Sequence, residues 1–326
     1  MIVSITCDMK PPYEITSVIL DLISSISEKI GEVKSARLIK PPTELRKRNK
    51  IKTIQSSLEI EGNTLTIEQI TDLINDKRVL APKKDIIEVK NAIQVYENLN
   101  KFNAFDIKSL CSAHKMLMNN LVDNAGKIRR TAVGIVKGED VQHIAPPGDM
   151  VYSLLNDLFA YLKNDKDILL IKSCVFHYEF EFIHPFIDGN GRMGRLWQTM
   201  ILKEYSPVFE FLPVETLVKE KQQEYYYVLG KSDNQGESTP FIEFMLDIIN
   251  SALEDLLKTQ KVNPTQNERI EIFKSFIGNS EFSRQDYMRH NKDISSATAS
   301  RDLKNAVENG ILIKLGDKRT TKYKFN

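Results

Sequence analysis

Apolar residues return every three or four positions through most of this chain, in residues 15–30, 67–74, 86–99, 107–117, 151–162, 169–182, 193–205 and 241–257. That spacing stacks side chains on one face of a helix, while β-branched alternation is scarce, so a mainly α-helical body is predicted. The exception is 128–145, where short β-favouring runs flank the turn-prone Lys137-Gly138-Glu139-Asp140. A hairpin is predicted there, closed by Pro146, Pro147 and Gly148 before the next helix.

The pattern changes again at 262–267, where Pro264 and polar residues mark a boundary. Beyond it the spacing predicts helices at 268–277, at 284–290 after a capping box from Ser283 to Asp286, and at 297–308 before Asn309-Gly310. Runs at 311–315 and 320–325 around Gly316-Asp317 then form a terminal hairpin. This order resembles a winged helix-turn-helix, with 297–308 in the place of the recognition helix.

Composition sharpens this only locally. A length of 326 residues allows two or three domains. The 45 Lys+Arg against 44 Asp+Glu give no overall field toward nucleic acid or membrane, although the segment from Pro264 onward, with twelve basic and eight acidic residues, carries +4. Cys7, Cys111 and Cys174 are dispersed and odd in number, which argues against a disulfide framework or a zinc site. The N-terminus does not read as a signal peptide and no apolar run is long enough to span a bilayer, so a cytoplasmic protein without membrane partners is expected.

The chemistry concentrates at 184–195. The apolar run 169–182 predicts a buried helix, and Pro185 ends it near His184. Asp188-Gly189-Asn190-Gly191 follows, a turn whose Gly and Asn residues take positive φ easily and whose N–H groups can converge on an anion. It feeds a helix at 192–205, whose first turn presents free N–H donors. Arg192 and Arg195, three apart, project from one side of that turn and are placed to clamp a polyphosphate. Asp188 suits a Mg²⁺ that phosphates also ligate, and His184 suits a general base. Base, metal ligand, anion nest and two guanidiniums within twelve residues point to phosphoryl or nucleotidyl transfer. His114, His143 and His177 read as helix-face, loop and packing residues, since none has partners at metal-ligand spacing.

The string from His184 to Arg195, HPFIDGNGRMGR, resembles the Fic motif HxFx(D/E)GNGRxxR at every specified position. The likeness extends over residues 10 to 250, with Ala125–Arg130 and the hairpin resembling the family flap and Tyr225 to Leu229 its nucleoside-side segment. It implies a Fic-type helical core with a β-hairpin flap, divided as 1–84 (a helical region with an inhibitory helix), 85–262 (the catalytic core) and 263–326 (the winged-helix module). It further implies a protein adenylyltransferase that moves AMP from MgATP to a Tyr, Ser or Thr hydroxyl, with His184 as base and Asp188 on Mg²⁺. Gly189, Asn190, Gly191, Arg192, Gly194 and Arg195 would hold the triphosphate, with Tyr225, Tyr226 and Asp233 at the nucleoside. A bulkier residue at Gly191 accompanies relatives that use ATP in reversed orientation. Val136 and Asp233 depart from the usual flap Gly and nucleoside-side Asn.

Upstream, Ser57, Glu61 and Gly62 resemble the family's inhibitory motif (S/T)xxxE(G/N), with Ser57 and Glu61 one helical turn apart. The likeness implies that Glu61 pairs with Arg195 and blocks productive ATP binding. The expected partners are ATP and a target protein, with a homodimer as a further arrangement. The alternative expectations are a DNA-binding regulator with the core as nucleotide sensor, in which Arg301, Lys304, Lys318, Arg319, Lys322 and Lys324 meet phosphates, or the same core acting on another nucleotide donor.

Overall fold

The computed structural model describes residues 10–35, 41, 43–131, 134–137, 140–260, 265–292, 294–317 and 321–326. Cys7, the boundary residues 262–264, Lys318 and Arg319 lie outside the described residues. The architecture is mainly helical. Helix α1 (Ser17–Ser35) buries Ile19, Ile26, Ile30 and Val33 and packs along the long α11 (Thr239–Gln260). Hydroxyl bonds from Thr16 to Glu243 (2.6 Å) and Ser25 to Asn250 (2.9 Å) fix their register.

Helices α2 (Thr43–Ile60), α3 (Ile67–Ile74) and α4 (Lys83–Glu97) follow, α3 opening on a capping box from Thr66 to Gln69. After α5 (Ile107–Leu117), strands β1 (Gly134–Lys137) and β2 (Asp140–Ile144) pair antiparallel, Gly134 opposite Ile144 and Lys137 opposite Asp140. This is the hairpin that the turn residues announce.

Helices α6 (Val151–Asn164), α7 (Leu169–Ile183) and α8 (Asn190–Tyr205) form the centre. Helix α7 buries side chains on every face, as expected of an apolar run without a polar stripe. Helix α8 packs on it and is pinned by Trp197, fully buried, whose indole N–H donates to Ala104 O at 2.9 Å. A 3-10 turn (Pro207–Phe211) and the short α9 (Val214–Glu220) and α10 (Gln222–Gln235) complete the wall opposite α2. These last two helices are too polar to show a periodic apolar face in the sequence.

One apolar cluster runs from Ile19 to Leu256, so residues before 85 share a core with those after it. A second, separate cluster runs from Ile270 to Phe325 in the C-terminal module. There α12 (Gln266–Ile277), α13 (Arg284–His290) and α14 (Ser296–Glu308) pack under β3 (Leu312–Leu315) and β4 (Lys322–Phe325), with Phe282 bridging to Tyr323 as a third strand would. Buried Asp302 of α14 is held by Arg269 (2.7 Å) and Tyr287 (3.1 Å), which ties the three helices together. Arg301, Lys304, Lys322 and Lys324 are exposed.

No described helix is long and apolar enough to cross a membrane. Cys111 and Cys174 are unbridged, and burial pushes the Cys174 thiol up to about 12.

Candidate active site

The site begins where α7 stops. His184 adopts the left-handed conformation (φ 50°, ψ 60°), its N–H still bonded to Phe180 O at 3.0 Å, and Pro185 turns the chain out of the helix. The carbonyls freed at such an end need donors. Arg129 supplies them: its guanidinium donates to Ile183 O (3.0 Å) and His184 O (2.6 Å) and its backbone N–H to Pro185 O (2.9 Å), while the same guanidinium also holds Pro146 O (2.9 Å) and Thr131 O (2.7 Å). Arg129 is only 3% exposed. A cation on a helix C-terminus also complements the helix dipole, so this residue fixes where His184 points. Sequence reasoning placed Arg129 only within the flap, because nothing in its spacing announces a cap more than fifty residues away.

The loop is then closed from inside. Asn190 is 2% exposed; its side-chain carbonyl accepts from Phe186 N–H (2.9 Å) and its amide donates to Phe186 O (2.8 Å). Asn190 therefore shapes the loop with its side chain and faces any anion with backbone alone. Phe186 is fully buried beneath His114, the rings stacked at 3.7 Å. Gly126 N–H donates to His114 Nδ1 (2.8 Å), so the proton sits on Nε2, which donates to Asp188 O (2.9 Å). Burial lowers the pKa of His114 to about 4, which keeps the ring neutral as this pattern requires. The helix-face residue of the sequence reading is thus a fastener between α5 and the loop. Gly189 has φ +84°, and a Cβ there would stand 2.7 Å from Met118 Sδ.

The two arginines diverge. Arg192 pairs with Glu88 of α4 and with Asp188, both at 3.1 Å, and Glu88 in turn accepts from Asn63 at 2.8 Å. Asp188 Oδ1 also accepts from Gly189 N–H at 2.6 Å. Arg195, 3% exposed, is enclosed by α2: Nη2 meets Glu61 Oε1 at 2.7 Å and Ser57 O at 2.9 Å, and Nε donates to Ser57 Oγ at 3.2 Å. Burial is the strongest single influence and opposes its charge, but the Glu61 carboxylate together with Tyr225 and Glu181 holds the guanidinium pKa above its ordinary value. In this state each guanidinium is occupied by carboxylate, Arg192 by Glu88 and Asp188, and Arg195 by Glu61. Glu88 had no signal in the sequence, lying in an ordinary helical stretch.

Gly191 sits under that contact, where an added Cβ would fall 2.4 Å from Glu61 Oε1. Gly194 faces α7, where a Cβ would meet Glu181 Oε1 at 2.8 Å and His177 Cδ2 at 2.9 Å, so it allows the close α7–α8 crossing. His177 is fully buried, Nδ1–H donating to Gln198 (2.7 Å) and Nε2 accepting from Tyr225 (3.1 Å); burial drives its pKa to about 3.

The nucleoside-side expectation divides. Tyr225 is 1% exposed and packs among His177, Phe241 and Phe244, so it lies in the core instead of lining a surface. Its neighbour Tyr226 is 38% exposed and presents its ring to the surface. Asp233 accepts from Tyr178 at 3.0 Å, tying α10 to α7.

The helical bundle thus gathers His184, Asp188, Arg192 and Arg195 around one loop. Residues 104–202 match the Fic/DOC family. The crystal structure of a Fic family protein from Desulfovibrio desulfuricans G20 is 41% identical, covers 98% of both chains and superposes with a TM-score of 0.74. This chain belongs to the Fic/DOC family. A protein named protein adenylyltransferase Fic from Drosophila erecta is 31% identical over 216 residues, and its Aedes aegypti namesake is 28% identical over 250. They cover 62% and 72% of this chain, which spans 40% and 45% of their lengths. Fic-1 of C. elegans (residues 134–508), 20% identical over 76% of this chain and 73% of its own, shares the fold with a TM-score of 0.62.

Proposed function

We propose that this chain transfers AMP from MgATP to a hydroxyl group of a protein, and that Glu61 holds it in a weakly active state. The observation that carries the reading is the Glu61–Arg195 contact directly over Gly191, at 2.7 Å. Carboxylate there occupies the guanidinium that a terminal phosphate needs, and brings negative charge where ATP brings more. The names of the curated insect relatives support adenylyl transfer as the reaction.

In the active state Arg195 exchanges Glu61 for a phosphate, and the backbone N–H groups at the start of α8 face the chain of phosphates. The lack of a Cβ at Gly191 leaves that approach open. His184 Nδ1 lies 3.3 Å from Glu181 O; with the proton there, Nε2 is the basic nitrogen. It takes the proton of the acceptor hydroxyl as that oxygen attacks the α-phosphorus in line. The bond to the bridging oxygen breaks, and pyrophosphate leaves with the electron pair.

Asp188, with its side chain 49% exposed, fits a Mg²⁺ held jointly with phosphates. Mg²⁺ takes one or two carboxylates and completes its shell with phosphate and water, which a single Asp188 carboxylate suits. When bound it would neutralise phosphate charge.

The test uses ATP labelled at either the α or the γ phosphate with wild type, Glu61→Gly and Glu61→Gly/His184→Ala. Label from the α position only, strongest in Glu61→Gly and absent in the double variant, is expected on the protein itself or on a target in lysate. Transfer from the γ position would replace this reading with phosphoryl transfer.

A further inference from the structure

Behind the inhibitory contact the two helices that make it separate. Helix α2 runs antiparallel to α8: Ser57 and Glu61 meet Arg195, and two turns back Asn49 Nδ2 donates to Phe211 O at 2.9 Å. Between α2, α4 and the end of α8 lies a cavity of about 430 Å³. That is within the usual range for small-molecule sites, and nothing in the proposed reaction uses it. Its walls are apolar, chiefly Ile51, Ile54, Ile93 and Leu212.

Its charged lining is one-sided. Arg46, Lys47 and Lys50 of α2 stand against Glu97 and Glu210, and Glu210 is already paired with Lys203 at 3.2 Å. Half-buried Lys50 makes no ion pair with any described residue. The floor is polar and leads toward the active site. Tyr96 and Thr199 both line the cavity, and their hydroxyls donate to Glu215 Oε1 at 3.5 and 3.3 Å. Glu215 is 2% exposed, and its other oxygen has no hydrogen-bond partner. Thr199 lies one helical turn beyond Arg195, and Glu215 and Arg195 border one small void of about 10 Å³.

We propose that this cavity is an effector site for a small amphipathic anion, an aliphatic chain ending in a carboxylate, whose seating levers α2 off α8 and loosens the Glu61–Arg195 pair. The apolar walls take the chain, and Lys47 and Lys50, which make no ion pair with any described residue, take the head group. Helix α2 suits such a lever because much of its seat is polar: Ser56 bonds Thr216 of α9 at 3.2 Å, and Asn49 bonds Phe211 O in the turn after α8. A few hydrogen bonds, each with a small net worth, exchange for water at little cost when the helix shifts. The lever rests on the autoinhibited reading given above; the binding site does not.

Decanoate is the probe, titrated calorimetrically into the full chain, with decanol and butyrate as controls for head group and chain. Saturable 1:1 binding of decanoate is expected, with decanol and butyrate weaker. Ile93→Trp, which fills the cavity, is expected to abolish binding, and Lys50→Glu, which reverses a half-buried charge in the lining, to weaken it about tenfold. Circular dichroism melts establish that both variants fold. Decanoate is further expected to tighten ATP binding about fivefold or more in wild type, but not in Glu61→Gly, where the pair is already gone. No saturable binding, or binding that ignores both substitutions, overturns the site. Binding that leaves ATP affinity unchanged overturns the lever. Absence of AMP transfer in every protein, with binding intact, overturns only the catalytic reading.

Discussion

The helices flanking α8 hold it in opposite ways. Eleven of the fifteen residues of α7 are buried, eight of them apolar, and its exit is held by Arg129 on the carbonyls of Ile183, His184 and Pro185. Of the eight residues that α2 buries, four are polar: Asn49, Thr53, Ser56 and Ser57. Apolar packing is dense and intolerant of displacement, whereas a polar seat can trade its bonds for water or for a ligand. On the proposed reading the base is therefore built into the rigid side of the site and the inhibitor into the displaceable side, so that α2 would move without disturbing His184.

The comparison breaks most visibly at His184. In the Glu61→Gly background, His184→Ala is expected to lower AMP transfer by about 10²- to 10⁴-fold while leaving the thermal midpoint unchanged, because the side chain acts chemically and the backbone cap remains. Arg129→Met tests the rigid side. It leaves several buried carbonyls without a donor, at about 1–3 kcal/mol for each one unsatisfied, so urea unfolding should show a loss of about 3 kcal/mol or more, accompanied by lower transfer. A stable and fully active Arg129→Met would mean that packing alone sets the exit of α7.

On the displaceable side, Glu61→Gly is expected to tighten ATP about ten- to hundredfold by calorimetry. It should also lower the thermal midpoint of the unliganded protein, since Arg195 then lies buried without a carboxylate; ATP should restore it. An unchanged ATP affinity would remove Glu61 as the inhibitor.

The smallest effect concerns pH. His114 and His177 are neutral in the fold, with pKa values lowered by burial from 6.5 to about 4 and about 3. Unfolding therefore takes up protons below pH 6.5, and each ring contributes a loss of stability as pH falls, about 1.4 kcal/mol per pH unit between 6 and 4. Urea melts of His114→Gln should show a profile shallower by about that slope. An equal slope would mean that His114 is charged in the folded protein.

Much of the fold was legible because long apolar faces dominate it. The periodicities at 67–74 and 107–117 coincide with α3 and α5, and the capping pair Ser283 and Asp286 marks the start of α13. Helices α9 and α10 were not legible as periodic elements, since α10 buries only Tyr225, Val228 and Ser232 and α9 is seven residues long. The full extent of α2 was hidden for the same reason that makes it displaceable: its buried face is half polar.

The sequence by itself determined the local chemistry: a helix ending at His184, a Gly-Asn turn, a helix led by two arginines, and a Ser57–Glu61 pair one turn apart. These follow from steric and periodic constraints that act within a few residues. Only the tertiary structure decided the partners. It set Glu88 against Arg192, Arg129 on the exit of α7 and His114 under the loop, and it turned Tyr225 inward and Tyr226 outward. Each of these joins segments far apart in the chain, and a buried charge is satisfied by whichever opposite charge the packing of helices brings within 3 Å or so, a matter that no local pattern encodes.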